Sequence, residues 1–186
     1  FFYSVQFCPD FWQLWFTLVK FLNILTYYFF TIAFVFLFIF NLILIKSDVI
    51  LDSKRQVSII VGYTIIFSLL FIIGMVGGTK LDKSTDWKPI WYFPFIFTSF
   101  VITVPLLIIP IIYTSLQIYQ KMEINKFKKR WILFLIGVSI YAIIWIGTTI
   151  TNFLAQKLIR DLWAIISLIS FLMTYAIYYG VGKKIE

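Results

Sequence analysis

Histidine is absent from this chain of 186 residues, and cysteine occurs only once, at Cys8. A single cysteine excludes a disulfide within the chain, and without histidine no cluster of residues has the spacing of a metal site. Charged residues are also scarce, at 13% against roughly 25% in soluble domains, whereas hydrophobic residues reach 62%. This composition predicts an integral membrane protein that has no metal and no cofactor.

Groups that carry out catalysis are missing from the long apolar stretches of the chain, which contain no carboxylate, no histidine and no lysine at mid-membrane depth. These absences exclude a pair of acid and base carboxylates, a nucleophile activated by histidine and a Schiff-base lysine of the retinal kind. They also remove the acidic relay that many proton-coupled carriers use. No glycine-rich phosphate loop is present. We therefore predict no catalytic residues in this chain.

Five apolar stretches are long enough to cross a bilayer, which requires about 20 residues (roughly 17–25). They cover residues 21–45, 57–77, 90–119, 131–152 and 162–179. The charged residues fall between these stretches or at their ends. The sequence therefore predicts an all-α fold, a multi-pass transmembrane helical bundle with at least five membrane-spanning helices.

A basic loop between the third and fourth stretches predicts the orientation of the chain. Its cations are Lys121, Lys126, Lys128, Lys129 and Arg130. Glu123 is the one counter-charge, and short loops this basic stay on the cytoplasmic side of a membrane. With this loop inside, ten cations lie on the cytoplasmic side and six on the outside. The N-terminus is then predicted outside the cell membrane and the C-terminus in the cytoplasm.

The formal net charge of +8 would suggest nucleic acid as a partner in a soluble chain. Here the cations lie in short loops between apolar stretches, where membrane topology and anionic lipid headgroups account for them. The lipid bilayer is therefore the predicted partner, and nucleic acid is not.

Residues 1–20 are predicted to form an interfacial segment on the outer face, in which Asp10 caps a short helix that begins at Phe11. The alternative is that this segment is the frayed start of the first span. A continuous helix over residues 11–45 would be about 52 Å long, which exceeds the thickness of the hydrocarbon core.

Three prolines distinguish the third stretch, because Pro94, Pro105 and Pro110 each remove a backbone hydrogen-bond donor. The stretch is predicted to be kinked or locally unwound. Hydroxyl groups that lie nearby in the sequence, such as those of Thr98 and Thr114, are expected to satisfy the freed carbonyl groups. Whether the kink is purely architectural or also a functional hinge stays open from the sequence.

Polar side chains within the apolar stretches need partners, because the core of a membrane holds no water to satisfy them. One interpretation is structural, with hydroxyls and amides bonded to the backbone and to neighbouring helices. The other is a ligand pocket in the outer halves of the spans, with aromatic walls such as Trp145 and Trp163. The candidate residues that line this pocket are Asn23, Thr98, Thr148, Asn152 and Ser170.

Several features follow one another along the chain. They are the aromatic segment Phe11-Trp12-Gln13-Leu14, a span that ends in Gly77-Gly78, a proline-containing span with Tyr113 and Tyr119, the basic loop, and W-x5-G from Trp131 to Gly137. In this order they resemble the N-terminal seven-helix sensor region of archaeal and bacterial histidine kinases. The resemblance implies that the five spans are helices three to seven of such a region. It also implies a signal that passes to a cytoplasmic kinase or another output module, but it implies no ligand residue.

The predicted function is therefore that of a membrane-embedded sensor or input domain of a signal-transduction protein, with a cytoplasmic signalling module or a second copy of the chain as its partner. The alternatives are a fragment of a transporter or channel, and a structural subunit of a membrane complex. A carrier commonly shows internal repeats, which are not found here. We expect about two further spans before Phe1. Residues 180–186 are expected to form a cytoplasmic tail, followed within ~60 residues by amphipathic heptads or a soluble signalling domain.

Overall fold

The computed structural model describes residues 9–50, 52–82, 85 and 88–182. The described residues form seven α-helices: α1 (Pro9–Ile50), α2 (Ser53–Ile73), α3 (Phe93–Thr103), α4 (Ile109–Lys121), α5 (Asn125–Leu154), α6 (Lys157–Ile166) and α7 (Ser170–Ile177). Wider π-helical turns occur at Gly74–Gly78, Val104–Ile108 and Tyr178–Gly182, and a 3₁₀ turn occurs at Ser167–Ile169. A small antiparallel hairpin pairs β1 (Thr79–Lys80) with β2 (Ile90–Trp91).

Five helical stretches among the described residues are long and apolar enough to cross a membrane. They are Leu14–Lys46, Ser53–Gly78, Phe93–Lys121, Asn125–Leu154 and Lys157–Val181. The third joins α3 and α4 through a π turn, and the fifth, which we call the last span, runs from α6 through α7. The predicted all-α, multi-pass helical bundle is confirmed.

Helix α1 runs without interruption for 42 residues, which is about 63 Å at 1.5 Å per residue. Residues 9–20 are therefore not a separate short helix, and the structure has the continuous start that the sequence left as an alternative. The helix begins at Pro9, so the expectation that Asp10 precedes it is wrong. Proline fits the first turn, where its missing N–H has no partner in any case. Residues 1–8, including Cys8, lie outside the described residues.

The basic segment is mostly helical, so the basic loop expected over residues 121–130 is shorter than predicted. Lys121 is the last residue of α4, and α5 already begins at Asn125, so the connection comprises residues 122–124. The cations of residues 126–130 therefore lie in the first two turns of α5. Lysine and arginine are good helix formers, and the loss of hydropathy marks the edge of a membrane rather than the end of a helix.

The three prolines have different positions in the third span. Pro94 is the second residue of α3, so it helps to begin a helix, and the kink expected there is wrong. Pro105 lies in the π turn Val104–Ile108, where the Ile109 N–H donates to the carbonyl oxygen of Val104 instead of a residue four back. Pro110 follows directly in the first turn of α4. The expected local unwinding is therefore found around Pro105, while the backbone stays helical on both sides.

The core lies where α1 packs against α2, the third span and α5. Its fully buried side chains include Phe34, Phe67, Phe95, Leu107 and Trp145. The last span lies outside this core and packs mainly against α5. Among its described side chains Ala176 alone is buried, so most of its surface is available to lipid.

Candidate functional site

A buried polar group, which we call the Tyr27 cluster, joins α1, α3 and α5. It consists of Tyr27, Thr31, Ser99, Trp145 and Thr149. The Tyr27 hydroxyl is hydrogen-bonded to the Ser99 hydroxyl and lies 3.3 Å from Oγ1 of Thr149. Nε1 of Trp145 donates to Oγ1 of Thr31 at 3.2 Å. These bonds pair polar groups of three spans with one another. For this cluster the structure agrees with the structural interpretation, in which polar side chains bond to neighbouring helices.

A second polar group, the Asn41 cluster, joins α1 to α4. Nδ2 of Asn41 donates to the carbonyl oxygen of Ile111 at 3.1 Å and to Oγ of Ser115 at 2.7 Å. It also lies 3.1 Å from Oγ1 of Thr114. The indole Nε1 of Trp131 donates to the Ser115 carbonyl oxygen at 2.8 Å and extends the cluster to α5. Asn41 is fully buried, so this amide fixes how α1 and α4 face each other.

The carbonyl group that Pro110 leaves unpaired finds its donor on another helix. Proline at position 110 cannot donate to the carbonyl of Leu106, four residues earlier. The hydroxyl of Tyr63, on α2, donates to that oxygen at 2.9 Å. The hydroxyls of Thr98 and Thr114 instead bond to the carbonyls of Pro94 and Pro110 on their own helices. The expected rescue of the freed carbonyl therefore occurs, but from α2.

A cavity of about 120 Å³ lies between the first half of α1, the end of α5 and strand β2. The residues that line it are Asn23, Thr26, Tyr27, Phe30, Trp91, Thr148 and Asn152. The end of α5 that lines this cavity is opposite to the end that carries the basic residues. Arg130 and Thr148 are 18 positions apart on α5, which is about 27 Å along a helix.

The structure brings together three of the five candidate pocket residues. Asn23, Thr148 and Asn152 line the cavity, whereas Thr98 and Ser170 do not. Oγ1 of Thr98 donates to the Pro94 carbonyl at 2.7 Å on its own helix, as expected for a structural hydroxyl. Ser170 lies on the last span, where its carbonyl accepts a bond from Thr174.

Sequence reasoning missed Trp91, because only the hairpin brings this residue to the cavity. Gly77 has a φ angle of 147°, a backbone conformation that residues other than glycine rarely adopt. The chain turns here from the end of α2 into strand β1. Strand β1 then pairs with β2 so that Thr79 lies opposite Trp91. Trp91 is 3% exposed as a result. A tryptophan two residues after Pro89 is a weak signal, and no local pattern predicts this pairing.

The chemistry of the cavity is polar but uncharged. Within the described residues, Nε1 of Trp91 is buried without a hydrogen-bond partner. Neither of the half-buried carboxamides, Asn23 and Asn152, forms a hydrogen bond to another described residue. No charged side chain lines the cavity. Two free amides suit a small neutral molecule that forms hydrogen bonds, or water.

The volume limits what the cavity can hold. At about 30 Å³ per water molecule, 120 Å³ corresponds to about four waters. Sites for drug-sized ligands are larger, at about 300–1,000 Å³. The cavity therefore suits a molecule of a few heavy atoms.

Two walls of the cavity are bonded to α6, at the start of the last span. Nε1 of Trp163 donates to Oγ1 of Thr148 at 3.1 Å, and a Cβ atom on the adjacent Gly147 would lie 2.0 Å from the Trp163 ring. Nη2 of Arg160 donates to the carbonyl oxygen of Pro89 at 2.6 Å, two residues before Trp91. The predicted aromatic wall Trp163 thus acts on the cavity through Thr148 rather than by lining it.

Within the parts of the chain that the structure describes, no group of three cysteine, aspartate or glutamate side chains could hold a metal ion. No family model matches this sequence, and no curated protein or solved structure matches it. The likeness to seven-helix sensor regions therefore stays a prediction from the sequence, and the case for a function depends on the cavity and its contacts.

Proposed function

We propose that this chain is the membrane-embedded input domain of a signalling protein. A small uncharged molecule with hydrogen-bond acceptors occupies the cavity at the outer end of the bundle. The last span carries the response to the opposite end and to a cytoplasmic output module. The orientation follows from the basic residues at the start of α5, which favour the cytoplasmic side.

The observation that carries this proposal is the pair of bonds from α6 to the cavity walls. One holds the α5 wall through Trp163 and Thr148, and the other holds the β2 wall through Arg160 and Pro89. An occupant that bonds to Asn152 and contacts Trp91 would draw these two walls together. Since α6 is bonded to both walls, such a movement changes the position of the last span.

The packing of the last span supports this role. Its contacts are mainly with α5, and side chains such as Phe171 and Leu168 are 74% and 60% exposed. A helix that packs closely on one neighbour and faces lipid elsewhere can slide along that neighbour without disturbing the other helices of the core. A ligand shifts an equilibrium only by its different affinities for two states, so the proposed response requires two positions of the last span along α5.

Acetamide is a suitable probe, because its carbonyl and amide groups complement the two asparagines of the cavity. We expect its methyl signal to show saturation transfer from the purified chain in nuclear magnetic resonance experiments. We also expect it to change the distance between spin labels at Ile143 on α5 and Leu172 on the last span, both of which are exposed. Cys8 is replaced by serine in this experiment so that only the introduced cysteines are labelled.

Two variants separate binding from response. Asn152→Leu removes an amide from the cavity, so binding and response should both be lost. Trp163→Phe removes the bond to Thr148 and leaves the residues that line the cavity unchanged, so acetamide should still bind while the label distance no longer responds. If the labels move equally in wild type and Trp163→Phe, or if acetamide binds to Asn152→Leu as well as to wild type, the proposal is wrong.

A fragment of a transporter is the second candidate, favoured by the π turn around Pro105 in the middle of the third span. Widened or broken turns at this depth occur in carriers, where they border a substrate path. Uptake of radiolabelled acetamide into vesicles that contain the chain distinguishes the two functions. Saturable uptake above that of empty vesicles would favour the carrier, whereas binding without uptake favours the input domain.

A further inference from the structure

A crevice of about 240 Å³ lies between the end of α1 and the end of α4, at the basic end of the bundle. Its walls are formed by Leu44, Ile45, Ile118 and Met122, and Lys121 is its one charged lining residue. The crevice is thus apolar inside, with a single cation at the last residue of α4. At about 30 Å³ per water-sized group, it has room for about eight such groups in a row or cluster.

The surroundings of the crevice are strongly cationic. Residues 121–130 contain five cations and one carboxylate, and Lys46 directly follows the crevice residue Ile45. The Lys121 side chain is exposed and forms no ion pair among the described residues. Asp52 is bonded to the backbone N–H of Lys54 at the start of α2. Cations therefore outnumber carboxylates at this end of the bundle, which favours an external anion beside Lys121.

The position of these cations in α5 adds a second argument. The N-terminus of a helix carries a partial positive charge, so a lysine in the first turns of α5, such as Lys129, adds to the positive potential at this end of the bundle. Cations gathered at one end of a membrane bundle are typical of contact with anionic lipid. A soluble anion would satisfy the charges, but it would leave the adjoining apolar crevice empty.

We propose that this crevice is a binding site for an anionic phospholipid. The phosphate group lies at the Lys121 ammonium, with Lys46 close in sequence to the opposite wall, and one acyl chain enters between Leu44 and Ile118. A membrane lipid is favoured over a free phosphate because the site combines a cation with apolar walls. The proposal does not depend on the function of the cavity at the other end of the bundle.

Native mass spectrometry of the full chain tests this site. The chain is extracted from vesicles made of four parts phosphatidylcholine to one part phosphatidylglycerol, and the retained lipids are counted. We expect wild type to retain phosphatidylglycerol in preference to phosphatidylcholine. Lys121→Gln should lower that preference about fivefold, the effect of one cation at a membrane surface. Leu44→Trp should lower it as well, because a larger ring fills the crevice without changing the charge.

Lys157→Gln is the matched control, since it removes the same charge at the other end of the bundle and should leave the preference unchanged. Circular dichroism confirms that each variant is folded. If Lys157→Gln acts as strongly as Lys121→Gln, or if Leu44→Trp retains lipid like wild type, attraction is a general charge effect and the site does not exist. Release of the lipid by inorganic phosphate alone would also overturn the proposal, since it would identify a site for a free anion.

Discussion

At the scale of single residues, the hydrogen bond from Tyr63 to the Leu106 carbonyl should matter only while Pro110 is present. Tyr63→Phe removes the bond, and the free energy of unfolding should fall by about 0.6 kcal/mol, at most ~1.7, as for other hydrogen bonds between membrane helices. Pro110→Ala restores an N–H four residues after Leu106, so the tyrosine hydroxyl becomes unnecessary. In the Pro110→Ala background, Tyr63→Phe should therefore cost almost nothing.

Reversible unfolding of the four proteins in a detergent titration measures this coupling as a double-mutant cycle. Tyr113→Phe is the control, because that tyrosine is 61% exposed and its hydroxyl bonds to no described residue. Equal costs for Tyr63→Phe with and without Pro110 would contradict the assignment of the hydroxyl to the freed carbonyl.

At the scale of helices, glycines allow the last span to lie close to α5. A Cβ atom on Gly137 would lie 2.6 Å from Cγ1 of Ile177 and 3.1 Å from the Met173 carbonyl oxygen. A Cβ atom on Gly180 would lie 2.8 Å from Cβ of Phe134. Gly180 belongs to the helical turn Tyr178–Gly182, so at this position the predicted cytoplasmic tail is part of the last span. Residues 183–186 lie outside the described residues.

Gly137→Ala should therefore destabilise the chain, whereas Gly62→Ala should not. Both changes gain about 0.8–1.0 kcal/mol of helix propensity. A Cβ atom on Gly62 has no atom within 4 Å, while at Gly137 overpacking costs about 1–3 kcal/mol. The free energy of unfolding of the two variants measures the difference. Equal stability would show that Gly137 does not set the distance between α5 and the last span.

At the scale of the whole molecule, the proposed orientation places the start of α5 in the cytoplasm and the α5–α6 connection outside. Both Asn125 and Gln156 are exposed, so a cysteine at either position can be labelled. In a Cys8→Ser background, an impermeant thiol reagent added to intact cells should label position 156 and leave position 125 unlabelled. Position 125 should react once the cells are permeabilised. Labelling of position 125 in intact cells would reverse the orientation.

The number of spans and the helical fold were predictable from the sequence alone. Membrane insertion depends on the hydropathy of about 20 consecutive residues, which is a local property. It was also predictable that Asn41 needs a partner, and that the carbonyl groups left without a donor by the prolines need one. An unpaired polar group is costly in lipid wherever it lies. The ends of the helices were less predictable from the sequence, because α1 and α5 continue past their apolar stretches.

Only the tertiary structure decided which polar groups meet. Asn23 and Asn152 are 129 positions apart, and Trp91 reaches them through a hairpin that no local pattern specifies. Thr98 and Thr148 have similar local sequence signals, yet one bonds to its own helix and the other lines the cavity. When all faces of a helix are apolar, hydropathy does not indicate which face points toward the other helices. The rotation of each span is set by close contacts between helices, so the sequence determined the bundle and the packing determined the cavity.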